Sequence, residues 1–154
     1  MDEALIGTML ASTLRLATPL IFCAMAGLFS ERSGVVDIGL EGKMLFAAFA
    51  AGAAGAAWGS TALAMLAAIG VAISLSWMHG LACVSHRGDQ VVSGVAINII
   101  AAGLTVVLGI AWFAQGGQTP PVTSSVRIQP LFPQATATLA GIPWIGALVG
   151  EGVL

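Results

Sequence analysis

Between Met44 and Val84 the chain runs for 41 residues without a single Asp, Glu, Lys or Arg. As one straight helix rising ~1.5 Å per residue this stretch would reach ~60 Å, twice the ~30 Å hydrocarbon core of a bilayer. It therefore has to fold back on itself. The break falls at Trp58-Gly59-Ser60, where the indole suits a membrane interface and Gly-Ser suits a turn. Two spans are predicted, a short one over residues 44–58 and a longer one over 61–84. Within the first, Gly55 and Gly59 form a small-xxx-small pair suited to close packing inside a bundle.

The same reasoning extends to both sides. Residues 5–29 are apolar apart from Arg15 and long enough to span. Arg15 suits a snorkelling position toward the interface, and Pro19 is tolerated where a neighbouring helix compensates for its missing donor. After the polar hexapeptide Ser85-His86-Arg87-Gly88-Asp89-Gln90, residues 91–114 make a fourth span. It carries a stripe of small and polar residues, Gly94, Asn98, Ala101, Ala102, Thr105 and Gly109, opposite Val95, Ile99 and Val106. Residues 115–143 hold five of the six prolines and read as an extramembrane loop, and residues 144–154 are too short to span. The expected fold is an all-α, polytopic transmembrane bundle of about four spans, residues 1–154 forming a single membrane domain.

Composition supports lipid as the surrounding medium. Only 8% of residues are charged and 58% are hydrophobic, against roughly a quarter charged in a soluble domain. Five basic residues and a net charge of −2 exclude a nucleic-acid partner, which would need a basic surface against the phosphates. Cys23 and Cys83 lie in apolar runs and read as small buried hydrophobes. His79, Cys83 and His86 are spaced to share a helix side, but no fourth ligand stands near them, so neither a metal nor a cofactor is expected. The acidic start Met1-Asp2-Glu3 is unlike the basic leader of a cleaved signal peptide, so the first apolar segment should be retained. With four spans, Arg32, Lys43 and Arg87 fall on one side and Arg127 on the other, which places the first three in the cytoplasm by the positive-inside rule.

The most informative stretch is Glu31-Arg32-Ser33-Gly34-Val35-Val36-Asp37-Ile38-Gly39-Leu40-Glu41-Gly42-Lys43-Met44, which packs five of the twelve charges between two spans. Three glycines, and the like charges of Asp37 and Glu41 four apart, disfavour a continuous helix. A broken or re-entrant segment near residues 30–43 is expected. Two readings stand side by side: a solvated cytoplasmic loop, or irregular backbone lining a watery path of the kind that holds substrate in transporters.

This segment, followed some fifty residues later by Asp89-Gln90-Val91-Val92-Ser93-Gly94-Val95-Ala96-Ile97-Asn98 and its apolar continuation, resembles the permease subunits of bacterial ABC importers of the branched-chain amino acid and simple-sugar group, closest to the nucleoside-type branch. The resemblance covers about residues 10–150 and corresponds to an N-terminal half of such a permease. It implies a multi-pass protein of the bacterial inner (plasma) membrane that forms part of a path for a small polar solute, a nucleoside or simple sugar. The implied partners are an ABC ATPase subunit, a second permease subunit and a periplasmic or lipoprotein substrate-binding protein. Asp37, Glu41 and Asn98 stand in the family motifs and are the candidates for the substrate pathway; Gly55, Gly59, Gly94 and Thr105 are the candidates for helix packing. No GxxxxGK[ST] phosphate loop is present, so ATP hydrolysis is expected on a separate subunit. The alternatives are a membrane-embedded enzyme, for which Asp37 and Glu41 form a close carboxylate pair, and a small assembly or regulatory membrane protein.

Overall fold

The computed structural model describes residues 3–123 together with 126 and 127. Four α-helices follow one another: α1 Glu3–Arg32, α2 Leu40–Trp58, α3 Thr61–Gly80 and α4 Gln90–Phe113, with a π-helical turn over Leu81–Ser85 continuing α3. No strand occurs among the described residues. The chain divides into two compact units, with the leading part of α1 to Phe22 in the first and Cys23–Ile128 forming the second. In the first, Thr13 and Thr18 donate their hydroxyls to the carbonyls of Met9 and Leu14, which keeps polar groups satisfied within the helix. Leu16 and Leu20 are exposed there, as is Arg15.

The second unit is an inside-out bundle, as a lipid-solvated protein has to be. Ile73, Trp77, Ile99 and Val107 are all at least 60% exposed, while the buried positions are mostly small. Helix α2 packs against both α3 and α4. Ser12–Arg32, Thr61–Ser85 and Gln90–Phe113 are long and apolar enough to cross a membrane. The remaining predicted span, α2, is a helix of 19 residues, ~28 Å long. It falls outside that set because Glu41 and Lys43 stand in its first turns and alanine and glycine make up much of the rest. Those small residues suit a helix enclosed by two others.

The break after Trp58 lies where expected. Gly59 caps α2 in the left-handed conformation (φ 62°), donating its N–H to the carbonyl of Gly55, and nothing surrounds the position its Cβ would take. Backbone geometry is thus what requires a glycine at 59. Gly55 packs instead: a Cβ there would sit 3.2 Å from Val126 and 3.4 Å from Val122.

Helix α4 buries Gly94, Ile97, Ala101, Thr105 and Gly109, and leaves Ala102, Val95, Ile99 and Val106 outward. Its small-residue stripe lies against α2 and the segment before it: a Cβ on Gly94 would come within 2.9 Å of the Gly39 nitrogen, and one on Gly42 within 2.7 Å of the Asn98 Cα. The described part of the segment after α4 packs back on the bundle. A Cβ on Gly109 would meet the Gln115 carbonyl at 2.6 Å, and one on Gly52 would meet the Thr119 hydroxyl at 2.5 Å. Thr61 also donates its hydroxyl to the Val126 carbonyl at 2.8 Å. The chain turns back from α4 and lies along α2, seated by two glycines.

Candidate functional site

Between α1 and α2, residues 33–39 are non-helical. The break is narrower than the predicted 30–43, since α1 carries Glu31 and Arg32 and α2 takes in Glu41 and Lys43. Irregular backbone inside a membrane protein must have its polar groups satisfied by the protein itself. Here side chains do that. The Gln90 side-chain carbonyl accepts from the Val36 N–H at 2.7 Å, and its amide donates to the Gly34 carbonyl at 3.4 Å. Ser30 donates its hydroxyl to the Val35 carbonyl at 2.7 Å, and Asp37 accepts from the Gly39 N–H at 3.1 Å.

Asn98 is the crossing point. Its Nδ2 donates to the Ile38 carbonyl at 3.1 Å and its Oδ1 accepts from the Gly42 N–H at 2.7 Å. The residue before α2, Gly39, offers no side-chain cap, so Asn98 serves from α4 as the acceptor that the first turn of α2 lacks. This works because glycine at 42 lets α2 and α4 approach to the distance of a backbone hydrogen bond.

Beside this crossing lies a buried polar cluster. Lys43, 5% exposed, pairs through Nζ with Asp37 Oδ2. His79, 2% exposed, faces Asp37 Oδ1 through Nε2 at 3.8 Å, and its Nδ1 lies 3.0 Å from the Ser93 hydroxyl. With a carboxylate on the Nε2 side, the tautomer that suits both neighbours carries its proton on Nε2 and accepts the Ser93 hydroxyl proton at Nδ1. Cys83 completes the cluster, its Sγ 3.7 Å and 3.8 Å from the two ring nitrogens, brought inward by the π-helical turn. His86 stands apart, exposed and bonded through Nδ1 to the Leu81 carbonyl at 3.0 Å. No group of residues suited to a metal ion occurs among the described residues.

Of the three candidate pathway residues, Asp37 and Asn98 come together at this crossing and Glu41 does not join them. Glu41 is exposed and has no ion-pair partner among the described residues. Of the packing candidates, Gly55, Gly94 and Thr105 are buried and Gly59 is exposed. Sequence reasoning missed Lys43, His79 and Gln90 as partners of the broken segment, and Ser93 as the partner of His79. A signal existed for two of them, since an ionisable residue within or beside an apolar span calls for a buried partner.

A family model described as branched-chain amino acid transport system / permease component matches residues 9–148. The chain belongs to this permease family. Among curated proteins, a guanosine ABC transporter permease of Bacillus subtilis is 45% identical over 103 residues, 63% of this chain and 32% of that protein. A nucleoside ABC transporter permease of Lactococcus lactis is 37% identical over 112 residues, 69% of this chain and 35% of that one. A putative glucose ABC transporter permease of Haloferax volcanii is 30% identical over 138 residues, 90% of this chain and 40% of that one. The chain thus spans between 32% and 40% of the length of these relatives. No solved structure matches it. This permease chain is a multi-pass protein of the cell membrane, and its family is the membrane component of a transport system rather than a catalytic subunit.

Proposed function

We propose that the chain supplies part of the translocation path of an ABC importer for a nucleoside or a simple sugar. ATP is hydrolysed on a separate ATPase subunit, and a second permease subunit and a substrate-binding protein complete the system. The reading rests on the family match and on relatives whose names specify guanosine, nucleosides and glucose. The observation that carries it in the structure is the broken segment at residues 33–39, whose backbone is satisfied from α1 and α4 by Ser30, Gln90 and Asn98. Such a segment, held by side chains at one end of the bundle and partly exposed, is what a path for a polar solute needs and what a lipid-facing anchor does not.

Within this reading the three motif residues have different parts. Asp37 is engaged by Lys43 and the Gly39 N–H, and both ends of the Asn98 amide are bonded to backbone, so these two shape the wall. Glu41 alone keeps free acceptor capacity and is the residue available to water or solute. The experiment is affinity purification of the tagged chain from membranes of its own host. An ABC ATPase and a substrate-binding protein should copurify in defined proportion. Recovery of the chain without either would favour a small assembly or regulatory membrane protein.

A further inference from the structure

The family match leaves open where, along this chain, a solute's polar groups are met. Two cavities share the buried ring of Phe49 as a wall. One, of about 400 Å³, is lined by alanines and aromatic rings such as Phe46 and Trp112 and offers a hydroxylated solute almost nothing polar. The other, of about 360 Å³, is different in kind. It lies between α2, α4 and the returning segment, and is lined by Leu45, Ala48, Phe49, Thr105, Gln118 and Thr119 together with the backbone at Gly117.

The polar groups of this second cavity have capacity to spare. Thr105 is 4% exposed and donates its hydroxyl to the Ala102 carbonyl at 3.1 Å, which leaves its oxygen able to accept a further hydrogen bond. Among the described residues the side chains of Gln118 and Thr119 have no hydrogen-bond partner. No charged side chain lines the cavity. A second observation points the same way. Residues 115–119 are irregular, yet Thr119 is seated on Gly52, six residues and so ~9 Å inside the Trp58 end of α2. Non-helical backbone within a membrane bundle is tolerated where it is buried in protein or lines a watery cavity, and residues 115–118 are exposed.

We infer that the cavity lined by Phe49, Thr105, Gln118 and Thr119 is a contact site for a neutral, hydroxylated ring solute. The ring face lies on Phe49 and Leu45, and the hydroxyl or amide edges bond to Thr105, Gln118 and Thr119. A zwitterionic amino acid would find no counter-charge for either of its ions in this lining, whereas a neutral solute needs none. The volume lies at the lower end of the ~300–1,000 Å³ usual for small-molecule sites. The inference rests on the permease reading and locates its solute class within this chain.

The test uses cells lacking the chain and complemented with it or with Gln118→Cys, whose membranes are opened and treated with a water-soluble maleimide. Gln118→Cys should label above the wild-type chain, and millimolar guanosine or glucose should slow that labelling while leucine does not. Thr105→Val should raise the half-protecting concentration about tenfold and Thr105→Ser should restore it, as expected for losing one hydrogen bond to the solute. Absence of labelling, protection by leucine as strong as by guanosine, or protection by neither neutral solute would each overturn the inference. Uptake of labelled guanosine and glucose by the wild-type complemented cells separates the two levels. Uptake without protection rejects the cavity and leaves the permease reading standing, whereas no uptake of either solute counts against both.

Discussion

At the scale of single residues, the Asp37–Lys43 pair sets the strongest constraint. Both side chains are less than a tenth exposed, so removing one leaves the other as an unpaired charge in a low-dielectric interior. Breaking such a pair costs about 3–5 kcal/mol. Lys43→Ala and Asp37→Ala should therefore each lower the melting temperature of the purified chain in detergent, and the double variant should lose less than the two losses added together. Strict additivity in that cycle would show that the pair is not coupled. Lys43 also changes the charge argument for orientation: a lysine neutralised by Asp37 inside the bundle is not a loop charge, which leaves Arg32 and Arg87 to set the bias against Arg127. Asp37 and Asn98 were legible in the sequence because they sit in recognisable motifs. Their partners were not: Asn98 reaches Ile38 across 60 positions and Ser93 reaches His79 across 14, and such pairings are made by helix packing, which periodicity in one sequence does not encode.

At the scale of elements, glycines decide how closely helices approach. Gly42→Ala would drive a methyl group to 2.7 Å from the Asn98 Cα, which is backbone and has nowhere to go, and would part α2 from α4. Gly70, mid-way along α3, has open space around it, so Gly70→Ala should stabilise by about 0.5–1 kcal/mol through helix propensity alone. Amide hydrogen exchange reads both: the Gly42 variant should lose protection at the start of α2, and the Gly70 variant should gain it along α3. Equal behaviour of the two would contradict the close crossing. Helix positions followed from the sequence with ends shifted by a few residues, because apolar runs and the Trp-Gly-Ser turn mark them directly. The π-helical turn after Gly80 and the return of the chain along α2 had no such mark; both depend on what the neighbouring helices present, Cys83 beside His79 in one case and Gly52 with Gly109 in the other.

At the scale of the whole molecule, the broken segment, the start of α4 and the end of α3 meet at one end of the second unit through Val36–Gln90 and His79–Ser93 contacts, and the Gly59 turn lies at the other end of α2. We predict that the first end faces the cytoplasm. A single cysteine at Ser85 should then resist an impermeant thiol reagent in intact cells and react once the membrane is opened, whereas one at Ser60 should react in both; the reverse pattern would invert the topology. Glu41 lies on the cytoplasmic end in this arrangement, exposed and without an ion-pair partner among the described residues. Glu41→Ala should accordingly reduce solute uptake by the assembled importer while leaving the amount of chain in the membrane near normal, and unchanged uptake would return this residue to the role of a solvated surface charge.

The central claim, that this chain helps carry a neutral polar solute across the membrane, is tested most directly by uptake. Host cells deleted for the chain, and the same cells complemented with it, would be given radiolabelled guanosine, uridine, glucose and leucine in turn. Deletion is predicted to abolish energy-dependent uptake of a nucleoside or of glucose, complementation to restore it, and leucine uptake to stay the same throughout. Loss of leucine uptake alone, or no change for any of the four solutes, would contradict the account.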